Sequence, residues 1–156
     1  MDKTLTISYH EYDSVDELAV ADRELLEQAI RATAAAYAPY SRFSVGAALR
    51  LSDGTLVCGS NQENAAYPSG LCAERTAIFA ASVQRPDLRD YDALAVAGRD
   101  SEGVLCEASP CGACRQVLAE YEGLQGHPMR VICQLQGGRV RVFEGVNSLL
   151  PFAFGF

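Results

Sequence analysis

The first periodic stretch, Thr4-Leu5-Thr6-Ile7-Ser8-Tyr9, alternates polar and apolar residues and predicts a short strand at a sheet edge. Ser14-Val15-Asp16-Glu17 has the spacing of a capping box, so a helix is expected to start there. Apolar residues then recur at Leu25/Leu26, Ala29/Ile30, Thr33 and Ala36/Tyr37, the spacing of a helix with one buried face, and Pro39 stops it. Two strands follow, Phe43 to Leu51 and Thr55 to Ser60, joined at Ser52-Asp53-Gly54, whose Asp-Gly pair suits a hairpin. The polar stretch from Gly59 to Gly70 is a loop rich in Asn and Glu, a natural place for binding groups. A helix from Cys72 to about Val83 turns Ala77, Ile78 and Ala81 inward. Asp92 to Ala97 reads as a strand covered on both faces. Pro110 suits a helix start, so another helix runs from Cys111 or Gly112 to about Tyr121. Arg130 to Gln134 and Val140 to Phe143 form a last pair of strands around Gly137-Gly138.

Helix, hairpin, helix, strand, helix, strands: this order predicts a single α/β domain over residues 1–156, with a mixed sheet and helices on both of its faces. At 156 residues with 49% hydrophobic content the chain can bury a real core, which argues against disorder. A net charge of -7 and the lack of any Lys/Arg run argue against nucleic-acid binding, which depends on neutralising phosphates. No stretch approaches the roughly 20 apolar residues of a membrane span, and Met1-Asp2-Lys3-Thr4 has no apolar signal region. A soluble, cytoplasmic protein without membrane or nucleic-acid partners is therefore expected.

Cysteine usage changes the picture most. Cys58, Cys106 and Cys133 sit in or beside apolar, strand-like segments and are expected to be buried small hydrophobes. Cys72, Cys111 and Cys114 instead open two helices, in Cys72-Ala73-Glu74-Arg75 and Pro110-Cys111-Gly112-Ala113-Cys114. The i, i+3 spacing of Cys111 and Cys114 puts both sulfurs on one side of a first turn. Two helix N-termini converging on a metal would stabilise thiolates. Three protein ligands leave the fourth position of a tetrahedral zinc open, the arrangement of a catalytic site. Glu74, two residues from a ligand, is placed to reach that position and move protons there. Three thiolates on one Zn²⁺ carry a net charge of about -1, and Arg75 is the candidate to offset it by hydrogen bonding to sulfur. A structural zinc site remains open, with Cys106, Cys133, His10 or His127 as fourth ligand, as does a redox pair at Cys111 and Cys114.

The residues resemble a known family. Cys72-Ala73-Glu74 followed by Pro110-Cys111-Gly112-Ala113-Cys114 is similar to the signature of zinc-dependent deaminases. Tyr40-Ser41-Arg42-Phe43-Ser44-Val45-Gly46, Asn61-Gln62-Glu63-Asn64, Tyr67-Pro68-Ser69-Gly70, Arg115-Gln116 and the ending Leu149-Leu150-Pro151-Phe152-Ala153-Phe154 resemble the small, tetrameric cytidine deaminases. The likeness runs from about residue 22 to the C-terminus. It implies a three-layer α-β-α fold with a five-stranded mixed sheet. It also implies one Zn²⁺ per subunit on Cys72, Cys111 and Cys114, with Glu74 shuttling protons during hydrolytic attack at C4 of free cytidine or deoxycytidine. Asn61 and Glu63 resemble the pair that binds the ribose 3′-hydroxyl, and Phe43 the aromatic that packs on the pyrimidine. Phe154, Tyr67 and the Ala65 backbone resemble groups contributed by neighbouring subunits of a homotetramer. The apolar ending Leu149 to Phe156 agrees with such an assembly, being a poor stretch to leave in water. Ser44 stands where the family often has proline. Residues 1–21 form an extension of unknown role, for which an added edge strand is the simplest reading. The rivals are an aminohydrolase for a cytosine antibiotic such as blasticidin S and a structural zinc module.

Overall fold

The computed structural model describes residues 1–155; Phe156, the last residue of the apolar ending, lies outside them. Seven strands form one sheet: β1 (His10–Tyr12), β2 (Ser44–Leu51), β3 (Leu56–Ser60), β4 (Tyr91–Arg99), β5 (Leu105–Cys106), β6 (Arg130–Gln134) and β7 (Val140–Phe143). Their spatial order is β1-β7-β6-β4-β2-β3, with the two-residue β5 pairing beside the end of β4. All pairings are antiparallel except β4 with β6. Strands β2, β3, β4, β6 and β7 are those expected; β1 and β5 make the sheet larger than the five strands implied by the resemblance.

Three helices cover the sheet: α1 (Val20–Ala32) on one face, α2 (Ala73–Gln84) and α3 (Gly112–Gln125) on the other. Period-two alternation in β4 divides the core. Ala93, Ala95 and Ala97 face Leu25, Leu26 and Ala29 of α1, while Leu94 and Val96 pack with Ala77, Ile78 and Leu118 of α2 and α3. Two glycines set how closely helices approach. A Cβ on Gly46 would lie 2.1 Å from the Ala29 carbonyl oxygen of α1, and one on Gly59 would lie 2.5 Å from the Ala77 nitrogen of α2. The α2 backbone thus rests directly on β3.

The N-terminal region departs from its pattern. The strand falls at His10–Tyr12, not at residues 4–9, because pairing is decided by the partner: Glu11 bonds Arg139 and Arg141 beside β7 (2.6 and 2.7 Å) and the Tyr9 ring packs on Phe143. The Ser14 capping box is present but caps a single 3₁₀ turn, Val15–Glu17; Leu18 then turns extended to bury its side chain, and α1 starts at Val20. At its other end α1 tightens into 3₁₀ geometry at Thr33, whose hydroxyl donates to the Ile30 carbonyl (2.7 Å), four residues before the expected helix boundary at Tyr37. Helix α3 runs past Tyr121 to Gln125, stopped by Gly126 in the left-handed region (φ 75°). Of the three cysteines expected in the core, Cys133 is buried and Cys106 half-buried, but Cys58 is exposed: alternation along β3 sends Val57 and Gly59 toward α2 and Cys58 away.

Candidate metal centre

The three clustered cysteines, Cys72, Cys111 and Cys114, come together at one end of the sheet. There lie the C-terminal ends of the parallel pair β4 and β6, the start of β2 and the end of β3. In layered α/β sheets that end is where crevices open. Helices α2 and α3 begin here, and both begin at a cysteine. Cys72 is the N-cap of α2 and Cys111 the N-cap of α3, each with extended backbone and no side-chain cap bond (ψ 156° and 169°). The first-turn N–H groups and positive dipole ends of both helices therefore face the sulfurs.

The Sγ atoms of Cys72 and Cys111 are 3.8 Å apart, and those of Cys111 and Cys114 are 3.6 Å apart. Zinc–sulfur bonds of about 2.3 Å at tetrahedral angles place sulfurs about 3.8 Å from one another, so the donor set fits a zinc ion. Cys72, Cys111 and Cys114 form the one such cluster among the described residues. Cys106, Cys133, His10 and His127 stand outside it, so the described residues supply no fourth protein ligand. His127 is bonded to Asp90 instead (2.6 Å).

Glu74, in the first turn of α2, is 3% exposed. Burial pushes its carboxyl up to about 7, the neighbouring Cys72 adds to this, and a hydrogen bond with Cys114 opposes it. The Cys72 thiol is drawn down to about 5, chiefly by its hydrogen bond with Cys114, with Arg75 and Cys111 helping against burial. Cys114 moves the opposite way for the same bond, and burial adds to it. Behind the cluster, burial pushes the Cys133 thiol up to about 12, leaving it an inert core residue. Arg75 donates from Nη2 to Cys72 Sγ (3.4 Å), while its buried Nε has no partner among protein atoms.

A cavity of about 560 Å³ meets the cluster at Cys72; Arg75, Asn61, Glu63 and Tyr67 also line it, whereas Glu74, Cys111 and Cys114 do not. The loop carrying Asn61, Glu63 and Tyr67 is stapled at both ends. Tyr37 donates to the Asn61 carbonyl (2.9 Å) and accepts from Glu63 N–H (2.8 Å), on either side of Gln62, and Gln62 and Leu71 bond each other (2.9 Å both ways). The Asn61 side chain accepts from Val45 N–H (2.8 Å) and donates to the Phe43 carbonyl (2.9 Å), bracing the entry of β2. Ala65 is exposed but does not line the cavity, nor does Phe43, whose ring lies over Gly98. Phe154 lies elsewhere, its backbone held by both ends of the Gln116 amide (2.8 and 3.1 Å). Tyr40 and Ser41 line the cavity and were not singled out from the sequence; their only signal was their place within the Tyr-Ser-Arg-Phe motif.

A thiol trio at zinc spacing, with a buried carboxylate beside it and no fourth protein ligand among the described residues, fits a catalytic rather than a structural metal centre, that of a zinc hydrolase. Residues 20–125 match the cytidine and deoxycytidylate deaminase zinc-binding region. A cytidine deaminase of Halalkalibacterium halodurans is 50% identical over 134 residues, which is 85% of this chain and 94% of that protein. One from Mycobacterium tuberculosis is 40% identical over 130 residues, 81% of this chain and 84% of that protein. The crystal structure of a Burkholderia pseudomallei cytidine deaminase superposes with a TM-score of 0.72 at 42% identity, covering 84% of this chain and 97% of that one. The chain belongs to the cytidine and deoxycytidylate deaminase family.

Proposed function

We propose that the protein deaminates free cytidine and deoxycytidine hydrolytically, releasing ammonia and the corresponding uridine. The observation that carries this reading is the trio Cys72, Cys111 and Cys114 at zinc spacing with Glu74 buried beside it, next to a nucleoside-sized cavity that Cys72 lines. Zinc, held by the three thiolates, would supply an activated water as nucleophile. Glu74 is the proton carrier: it accepts the proton lost by the attacking water and hands it to ring N3, then moves a second proton to the departing amino group. Its buried carboxyl suits an oxygen that must alternate between the charged and neutral forms. Arg75 tempers the charge on Cys72. Asn61 and Glu63, which line the cavity, bind the ribose 3′-hydroxyl; Phe43, outside that lining, is assigned to the pyrimidine on the resemblance alone.

The site is completed in a homotetramer, with the Ala65 backbone and Phe154 serving a neighbouring subunit's cavity and Tyr67, which lines this chain's own, reaching the neighbour's as well. Tyr67 is 73% exposed and Phe154 70%, which supports a partner surface. Residues 1–156 act as one deaminase domain, and its setting is the cytoplasm; among the described residues no helix is long and apolar enough to cross a membrane.

The test is ammonia release from cytidine, deoxycytidine, blasticidin S and a cytosine-containing oligonucleotide in parallel. Turnover of the two nucleosides is expected. Activity on the antibiotic alone, or on the oligonucleotide alone, would replace this reading.

A further inference from the structure

Tyr40 and Ser41 line the cavity, and the turn Tyr40-Ser41-Arg42 that carries them is bound to Glu63. Arg42 adopts φ 55°, a left-handed conformation costly for a residue with a Cβ, so something holds the turn in place. The Arg42 N–H donates to the Ala38 carbonyl (3.0 Å), and the Glu63 carboxylate holds the two residues before it. Oε2 accepts from the backbone N–H of Tyr40 (2.9 Å) and of Ser41 (3.2 Å), a pair of successive donors forming an anion-binding concavity. Oε1 accepts from the Ser41 hydroxyl, and more weakly from Ser41 N–H (3.3 Å).

Ser41 has no freedom in this arrangement. Its Oγ accepts from Phe43 N–H (3.1 Å), so its single hydrogen points to Glu63. A carboxylate offers about four acceptor positions. Three loop hydrogens reach it, those of Tyr40 N–H, of Ser41 N–H (shared between both oxygens) and of the Ser41 hydroxyl, and the carboxylate they hold lines the cavity. The same bonds, the Ser41 hydroxyl first, hold the Glu63 carboxyl below the usual carboxylate range despite desolvation, so it remains an acceptor.

The geometry points to Ser41 as a positioning residue for the sugar: its hydroxyl fixes the Glu63 oxygen that accepts from the nucleoside 3′-hydroxyl. This rests on the reading of Glu63 as a sugar-binding residue given above. Ser41 acts through Glu63 and never needs to touch the reacting ring.

The experiment compares the wild type with Ser41→Ala and Ser41→Thr on cytidine and on 3′-deoxycytidine. Ser41 is exposed, so both variants are expected to fold, as checked by thermal unfolding. Ser41→Ala should lower kcat/KM on cytidine by about tenfold, the low end for a lost hydrogen bond to a charged group, with most of the change in KM. Ser41→Thr, which keeps the hydroxyl, should recover to within about threefold. On 3′-deoxycytidine, Ser41→Ala and wild type should agree within about twofold, because the hydroxyl that Glu63 reads is gone. An equal loss on both substrates would make Ser41 a mere loop brace and overturn the inference, as would no loss on cytidine. A wild type that does not distinguish the two nucleosides would remove Glu63 from the sugar and the inference with it. A wild type inactive on both would overturn the deaminase reading itself.

Discussion

Gly59→Ala perturbs the metal from thirteen residues away, and the structure gives the size of the effect. The added methyl would stand 2.5 Å from the Ala77 nitrogen and 2.6 Å from the Ala73 carbonyl oxygen, both backbone atoms of α2. Comfortable contact begins at about 3.5 Å, so α2 must retreat by roughly 1 Å or β3 must yield by as much. Overpacking of this kind costs about 1–3 kcal/mol. Cys72 is the N-cap of that same helix and moves with it. Its Sγ stands 3.8 Å from Cys111 Sγ, and metal distances tolerate only about ±0.2 Å. Zinc affinity is therefore expected to fall about ten- to a hundredfold, measured by competition with a chromogenic chelator, and the melting temperature by several degrees. Gly112→Ala is the control: it lies beside Cys111, its Cβ meets nothing within 4 Å, and it should keep the zinc affinity of the wild type. If Gly59→Ala binds zinc as tightly as wild type and melts at the same temperature, the close approach does not set the site.

Glu74→Ala is expected to retain zinc by metal analysis while losing at least about a hundredfold in kcat, the lower end for a general acid–base; unchanged activity would leave the carboxylate without a chemical role. Arg75→Ala removes the bond to Cys72 Sγ and should weaken zinc binding about tenfold by the same chelator competition, whereas an unaltered affinity would assign the arginine to packing. Asp22, 6% exposed on α1, binds Arg130 (2.6 Å) and Arg50 (2.9 Å). Burial raises its carboxyl, but the Arg130 and Arg50 bonds outweigh that and hold it below the usual range. A depressed folded-state value gives stability that is present above the unfolded value of about 3.9 and lost as pH falls through the folded one. Asp22→Asn should thus cost about 3 kcal/mol near neutrality by denaturant unfolding and flatten the acid limb below about pH 4; an acid limb as steep as the wild type's would exclude Asp22 as its source.

The parts of the fold legible in the sequence are those whose side-chain period has a single solution. The Asp53-Gly54 turn could join only adjacent antiparallel strands, and β2 pairs with β3 as expected. The all-small outer row of β4, Ala93, Ala95 and Ala97, admits a helix at close range, as α1 proves. Where pairing depends on a distant partner, pattern alone fails. Leu5 and Ile7 alternate as well as any strand, yet β7 takes His10–Tyr12 because Arg139 and Arg141 reach Glu11. The capping box at Ser14 was a true local signal attached to the wrong helix, since burying Leu18 interrupts the run. At the site, the Cys-x-x-Cys spacing announced the metal cluster, but the bonds from Glu63 to Tyr40 and Ser41 join segments 22 or 23 residues apart and leave no periodic trace.

The single parallel strand pairing among the described residues, β4 with β6, has a kinetic meaning. Parallel neighbours cannot close as a hairpin; the chain must first travel through α3, the helix that brings Cys111 and Cys114 to the site. Cys72 reaches it through a separate crossover of α2 between β3 and β4. The three sulfurs meet only after both excursions have docked, which is the costly, non-local part of folding. Zinc is thereby a latch on the finished molecule rather than a seed for it. Its binding energy acts on the rate at which the native state opens and leaves the rate at which the chain first collapses almost untouched.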